Sequence, residues 1–161
     1  MKAHGPAEIH TQKTPNVKLL LSAIVMLLAY LAVFWSTLAK MENVWRHSET
    51  YMHGYLILPI SLWLIWRKKH SIFSITPKPT FLPIFFILPV LILWLMAYAI
   101  DVNFVSQFAA VFYLQLMLWS LLGHELIKKI WFPISFLIFM VPFGDAANPV
   151  LQQITADLVV M

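Results

Sequence analysis

The sequence predicts an all-α fold, a polytopic transmembrane helical bundle with five membrane segments and the start of a sixth, its N-terminus cytoplasmic. Composition is the first of three observations behind this. Of 161 residues, 61% are hydrophobic and 11% charged, with mean hydropathy +0.79, whereas a soluble domain is about 45–50% apolar and about a quarter charged. A compact soluble fold of this size cannot hide so much apolar surface, which excludes a water-soluble enzyme, a DNA-binding domain and a disordered chain. The second is a series of long uncharged apolar runs. The third is the placement of Lys and Arg between those runs.

Leu19 to Ala39 is free of charge and bracketed by Lys18 and Lys40, and a bilayer-spanning helix needs about 20 such residues. Thr14-Pro15 reads as its start, because proline loses nothing in a first turn. A cleaved signal peptide competes here, but its apolar core would be about 7–15 residues long. The second segment, Tyr51 to Trp66, contains Gly54 and Pro59, so a kinked helix is expected. Phe81 to Ile100 is the third, with Pro83 in its first turn and Pro89 as a further kink. Phe104 to Leu122 is the fourth, with Asp101 or Asn103 as N-cap. Ile130 to Val141 is short, and Pro142-Phe143-Gly144 breaks it. Asn148-Pro149 then opens a sixth helix from Val150, and the sequence stops inside it, which reads as a truncated chain.

Orientation follows from the positive-inside rule. Nine Lys or Arg residues fall in the N-terminal tail and in the second and fourth connections, against only Lys40 and Arg46 on the other side. The loops at 40–50, 101–103 and 142–148 should therefore face outward, and residues 1–16 should form a polar cytoplasmic tail. The formal charge of +4 is an orientation signal here and implies no nucleic-acid partner.

Few constellations could carry chemistry. The chain has no cysteine, hence no disulfide, thiolate ligand or thiol nucleophile. His124-Glu125 opens like a zinc-protease motif, but Lys128 stands where the second histidine is required. Neither a metal nor a cofactor site is predicted. Asn103, Gln107 and Gln115 share a helical stripe, read as amide bonding to a neighbouring helix or as a substrate path. Gln152, Gln153, Thr155 and Asp157 sit early in the sixth helix, and Asp157 must lie near the outer interface or face protein. The densest signal is the outward stretch Trp45 to Tyr55 leading into Pro59. Trp45, Tyr51 and Tyr55 have a plain reading as headgroup-belt aromatics. His53 beside Gly54 is harder to dismiss, because glycine lets a backbone or substrate approach closely.

Two strings carry a family resemblance. Ser48-Glu49-Thr50-Tyr51-Met52-His53-Gly54-Tyr55-Leu56, followed by Pro59-Ile60 and Trp63-Leu64-Ile65-Trp66-Arg67, resembles the early signature of the exosortase/archaeosortase family, nearest its exosortase A (EpsH-like) branch. Val141-Pro142-Phe143-Gly144 and Leu151-Gln152-Gln153-Ile154-Thr155-Ala156 resemble the segment leading into that family's catalytic half. The resemblance makes residues 17–161 an exosortase-like transmembrane domain, truncated on its C-terminal side.

It implies a multi-pass enzyme of the bacterial inner membrane, a cysteine peptidase or transpeptidase acting on exported proteins that end in a Pro-Glu-Pro sorting signal. Its partners would be membrane lipid and those sorting signals. The family's cysteine, arginine and histidine have no counterpart on this sequence, so no catalytic residue carries over and the chain alone should be inactive. Thr50, Tyr51, His53, Gly54, Pro142, Gly144, Gln152 and Thr155 would instead wall the substrate cleft. A transporter fragment or a non-catalytic membrane scaffold is the competing reading.

Overall fold

The computed structural model describes residues 17–143 and Thr155; the tail at 1–16, the loop at 144–148 and most of the expected sixth helix, with Gly144, Gln152 and Asp157, lie outside them. Every regular element among the described residues is helical: α1 (Val17–His47), α2 (Gly54–Arg67), α3 (Lys69–Phe73), α4 (Ile84–Ala99), α5 (Asn103–Leu122), α6 (His124–Phe136) and a 3₁₀ turn at Leu137–Met140. Two of these, α1 and α5, are long and apolar enough to cross a membrane, while α2 and α4 are shorter apolar helices of 14 and 16 residues. At 1.5 Å per residue these two span about 21 and 24 Å, short of a hydrocarbon core of about 30 Å.

α1 is longer than its apolar run requires. It continues past Lys40 to His47, which carries Glu42 and Arg46 about 5 and 10 Å beyond the last residue of that run. Its buried residues, Tyr30, Phe34, Thr37, Met41 and Trp45, recur every three or four positions and form one stripe. The rest of its surface is apolar and exposed, as are the outer faces of α2 and α4: Leu28, Trp35, Leu62, Phe85 and Met96 are each more than half exposed. An exposed apolar belt of this extent suits lipid and not water.

α5 lies at the centre, packed against α1, α4 and α6. Lipid tails are as apolar as leucine, so helix association depends on close packing and interhelical hydrogen bonds. Ala109 and Ala110, both essentially buried, let the neighbouring backbones approach. Tyr30 then donates to the Ala110 carbonyl at 3.3 Å, and the Trp94 indole donates to Thr37 Oγ1 at 3.0 Å. Gln115 donates to the Ile134 carbonyl at 3.0 Å and joins α5 to α6. For Gln115, the interhelical-glue reading of the amide stripe is what the structure shows.

Several boundaries differ from the sequence expectation. α5 begins at Asn103 behind Val102, with no side-chain cap; Asp101 instead takes a left-handed φ of 58° and forms the α4–α5 turn. Asp101 pairs with Lys40 at 2.6 Å, and Asn103 also accepts from Lys40, at 3.1 Å, so both side chains are engaged away from the helix end. The fifth segment begins earlier than Ile130. Gly123, with φ of 80°, turns the chain directly from α5 into α6, so His124-Glu125 forms a first helical turn where a loop was expected. A Cβ at Gly123 would collide with the Lys78 carbonyl. α2 and α4 run on through Pro59 and Pro89. Non-helical φ/ψ falls at Ile130 in α6, three residues before Pro133.

Cross-links between elements sort the loops into two groups. Lys40 joins the end of α1 to the α4–α5 turn, and Trp45 joins it to Met140. At the opposite end Lys68 reaches Lys129, and Thr80 and Ser120 exchange hydrogen bonds. The acidic connections therefore share one end of the bundle and the basic connections the other.

Candidate functional site

The rim at the acidic end is built around Trp45. Met41 and Trp45, one turn apart on α1, point inward into a cluster with Ile57, Val111, Leu137, Met140 and Val141. Glu42 and Arg46, displaced by one position, point outward as an i, i+4 ion pair. Beyond His47 the chain passes through a run of tight turns closed by Tyr51 N–H to the Ser48 carbonyl (3.1 Å), Gly54 N–H to Tyr51 (2.9 Å) and Leu56 N–H to His53 (2.9 Å). These turns bring the start of α2, Gly54 and Tyr55, to Trp45 at the end of α1, while the body of α2 packs on α6 and the 3₁₀ turn.

Gly54 sits directly beneath the Trp45 indole, where any Cβ would overlap ring atoms. The close approach anticipated from the glycine is real, and the approaching group is this tryptophan. The indole N–H donates to the Met140 carbonyl at 2.9 Å, at the end of the 3₁₀ turn. Trp45 is 7% exposed, so it is a packing centre and not a headgroup-belt residue. Tyr55 meets its edge at 5.3 Å and donates through its hydroxyl to Glu42 at 2.8 Å.

The structure brings Tyr51 of the first string and Val141 of the second into one cluster with Trp45 and Ile57, Gly54 joining it through Trp45, and Val141 is followed by the buried Pro142. Tyr51 is half-buried against this cluster, and its ring lies 6.4 Å from that of His53. His53 and Thr50 are exposed at the lip; His53 Nδ1 bonds to the Thr50 carbonyl at 2.9 Å. Thr155 is helical and exposed. Phe143 reaches from the second string to Phe104 of α5, with ring centres 5.6 Å apart.

Electrostatics at the lip centre on Glu42. Hydrogen bonds from Arg46, then from Tyr55, hold its carboxyl below the usual carboxylate range. No group of three metal-ligating side chains comes together among the described residues. An apolar cleft of about 210 Å³ lies elsewhere, between α1, α4 and α5, lined by Tyr30, Phe34, Leu91 and Tyr113 among others.

A comparison with protein families decides what this rim belongs to. The transmembrane exosortase family, of EpsH type, matches residues 45–161, beginning at Trp45 itself. The chain belongs to the transmembrane exosortase family. No curated protein and no solved structure showed a significant match to it. At the level of the family, exosortases are membrane cysteine transpeptidases or peptidases. These 161 residues contain no cysteine, so what the rim can supply to exosortase chemistry is shape, hydrogen-bonding groups and aromatic surface. Trp45 is the rim residue that sequence reasoning undervalued. The available signal was its spacing, four residues after Met41 and eight after Thr37, in register with the buried stripe of α1.

Proposed function

We propose that these residues form the substrate-receiving, non-catalytic part of an exosortase of the bacterial inner membrane, a multi-pass protein with its N-terminus in the cytoplasm. In this reading the Trp45–Tyr55 rim faces outward and takes the Pro-Glu-Pro sorting signal of an exported protein. Tyr51, His53 and Thr50 form the lip, the buried Pro142 supports it from within, and Gly54 acts indirectly by seating Trp45; the exposed Thr155, with Gly144 and Gln152 outside the described residues, is assigned to the same wall. The thiolate that attacks the substrate carbonyl, and the groups that assist it, come from outside these 161 residues. The peptide C–N bond would break there, the C-terminal segment leaving as an amine, and the resulting acyl-enzyme would be resolved by an amine or water.

The observation that carries this reading is the family match over residues 45–161 in a sequence without a thiol. A photoreactive phenylalanine analogue placed at Tyr51, and separately at Lys69, tests it in cells expressing a membrane-anchored reporter with a Pro-Glu-Pro tail. Cross-linking from position 51 alone is expected, with the reporter left full length. Equal cross-linking from position 69, or cleavage of the reporter by this chain, would overturn the reading.

A further inference from the structure

The end of the bundle opposite the rim gathers cations that have no ion-pair partner among the described residues. α2 ends at Arg67 and is followed by Lys68 and by Lys69, where α3 begins; both helices pack on α6. α6 presents Lys128 and Lys129, both exposed. Lys68 has a structural task. Pro133 has no N–H to offer the carbonyl four residues back, that of Lys129, and the helix is distorted at the intervening Ile130. Lys68 Nζ donates to that carbonyl at 2.7 Å and holds the end of α2 against α6.

Arg67, Lys69, Lys128 and Lys129 are left over. Among the described residues none of them forms an ion pair, and both ion pairs found there, Lys40–Asp101 and Arg46–Glu42, are at the other end. Glu125 stands three and four residues before the two lysines, a spacing that favours helical pairing, yet it pairs with neither. Two of the cations lie against indoles instead. The Arg67 guanidinium is 5.6 Å from the Trp63 ring centre, and the Lys69 ammonium is 4.4 Å from that of Trp66. Both tryptophans are exposed, at 53% and 62%, beside the exposed Leu62, and Trp131 and Phe132 are exposed just past the lysines of α6. Indoles of this kind settle at headgroup depth, so they hold the cations level with lipid phosphates. A ligand for this place must be anionic at one end and apolar at the other.

We propose that Arg67, Lys69, Lys128 and Lys129 form a binding site for the headgroup of an anionic phospholipid, whose acyl chains lie along the exposed aromatic surface of α2 and α6. The site stands whether or not the protein receives sorting signals. Each cation at an anionic lipid surface contributes about a fivefold gain in affinity.

The test is a titration of the purified 161-residue chain in detergent with phosphatidylglycerol, phosphatidylcholine and inorganic phosphate, read as apparent Kd and as a rise in Tm. Phosphatidylglycerol should bind and stabilise, and the other two should not. K69Q/K128Q/K129Q, which leaves Lys68 in place, should weaken binding about a hundredfold, and K128Q alone about fivefold, which keeps the test intact if the triple variant does not fold. K69R/K128R/K129R should bind like the parent, as should K40Q/R46Q at the far end. Phosphatidylcholine acting equally well, full affinity in K128Q and the triple variant, or displacement of phosphatidylglycerol by inorganic phosphate at equal concentration would each overturn the site.

Discussion

At the rim end of the bundle, Lys40 is tied to Asp101 and Asn103, and Arg46 to Glu42; at the opposite end, Arg67, Lys69, Lys128 and Lys129 form no ion pair among the described residues. The rim also buries a large side chain, Trp45, through contacts and a hydrogen bond that join α1, α2 and the 3₁₀ turn. The basic end presents Trp63, Trp66 and Trp131 outward. The contrast teaches that two stretches of similar composition, aromatic and charged residues next to an apolar run, can serve opposite ends: one closed on itself, the other open to what surrounds it.

The contrast breaks most readily at Trp45. Trp45→Ala removes a buried indole and its bond to Met140 and should cost about 3–5 kcal/mol of stability, measured by denaturation in detergent. Gly54→Ala overpacks the same indole and should cost about 1–3 kcal/mol. Combined with Trp45→Leu, Gly54→Ala should cost much less than in the parent, since the clash is with the ring. Independent, additive effects would show that Gly54 does not act through Trp45.

Gly123→Ala probes the basic end. The Gly123 backbone, at φ 80° and ψ 170°, lies in a region essentially confined to glycine and costs an alanine about 1–3 kcal/mol, and the collision with the Lys78 carbonyl adds to it. A loss of only a few tenths, as for an exposed glycine, would contradict the close packing of the 74–83 loop on the α5–α6 corner.

The ion pairs at the rim give the smallest effects. Lys40→Ala should cost about 0.2–1 kcal/mol, because the pair is largely exposed. Glu42 adds a pH dependence. Its carboxyl is held below its ordinary value by Arg46 and Tyr55, so its contribution is present above the unfolded carboxylate pKa and is lost as pH falls through the lower folded value. Glu42→Gln should flatten that acid limb of a thermal-melt series. An unchanged limb would show that Glu42 is not held by its partners in solution.

The helices were legible because period and charge are local properties. Phe104 to Leu122 matches α5 closely, Leu19 to Ala39 falls inside α1, which runs eight residues further into the expected loop, and the amide stripe of α5 does join it to a neighbour through Gln115. Misread positions are those set by partners distant in sequence. Trp45 was read as a belt residue because nothing local shows that Met140, 95 positions later, offers its carbonyl. Asp101 looked like a cap, but its partner is Lys40, 61 positions earlier. Prolines 59 and 89 lie inside continuous helices, while non-helical backbone falls at Ile130 near Pro133, where Lys68 satisfies the freed carbonyl. The rim as a place was legible in its two strings; its organising side chain was not.

Which end faces outward underlies both the proposed rim and its contrast with the basic end, and the absence of native cysteine makes this directly measurable. Single cysteines at Asn43 and at Lys69 would be exposed to a membrane-impermeant thiol reagent in intact cells, then again after permeabilisation. The account predicts labelling of Asn43→Cys in intact cells and of Lys69→Cys only after permeabilisation. Labelling of Lys69→Cys in intact cells, with Asn43→Cys protected, would place the rim in the cytoplasm and contradict it.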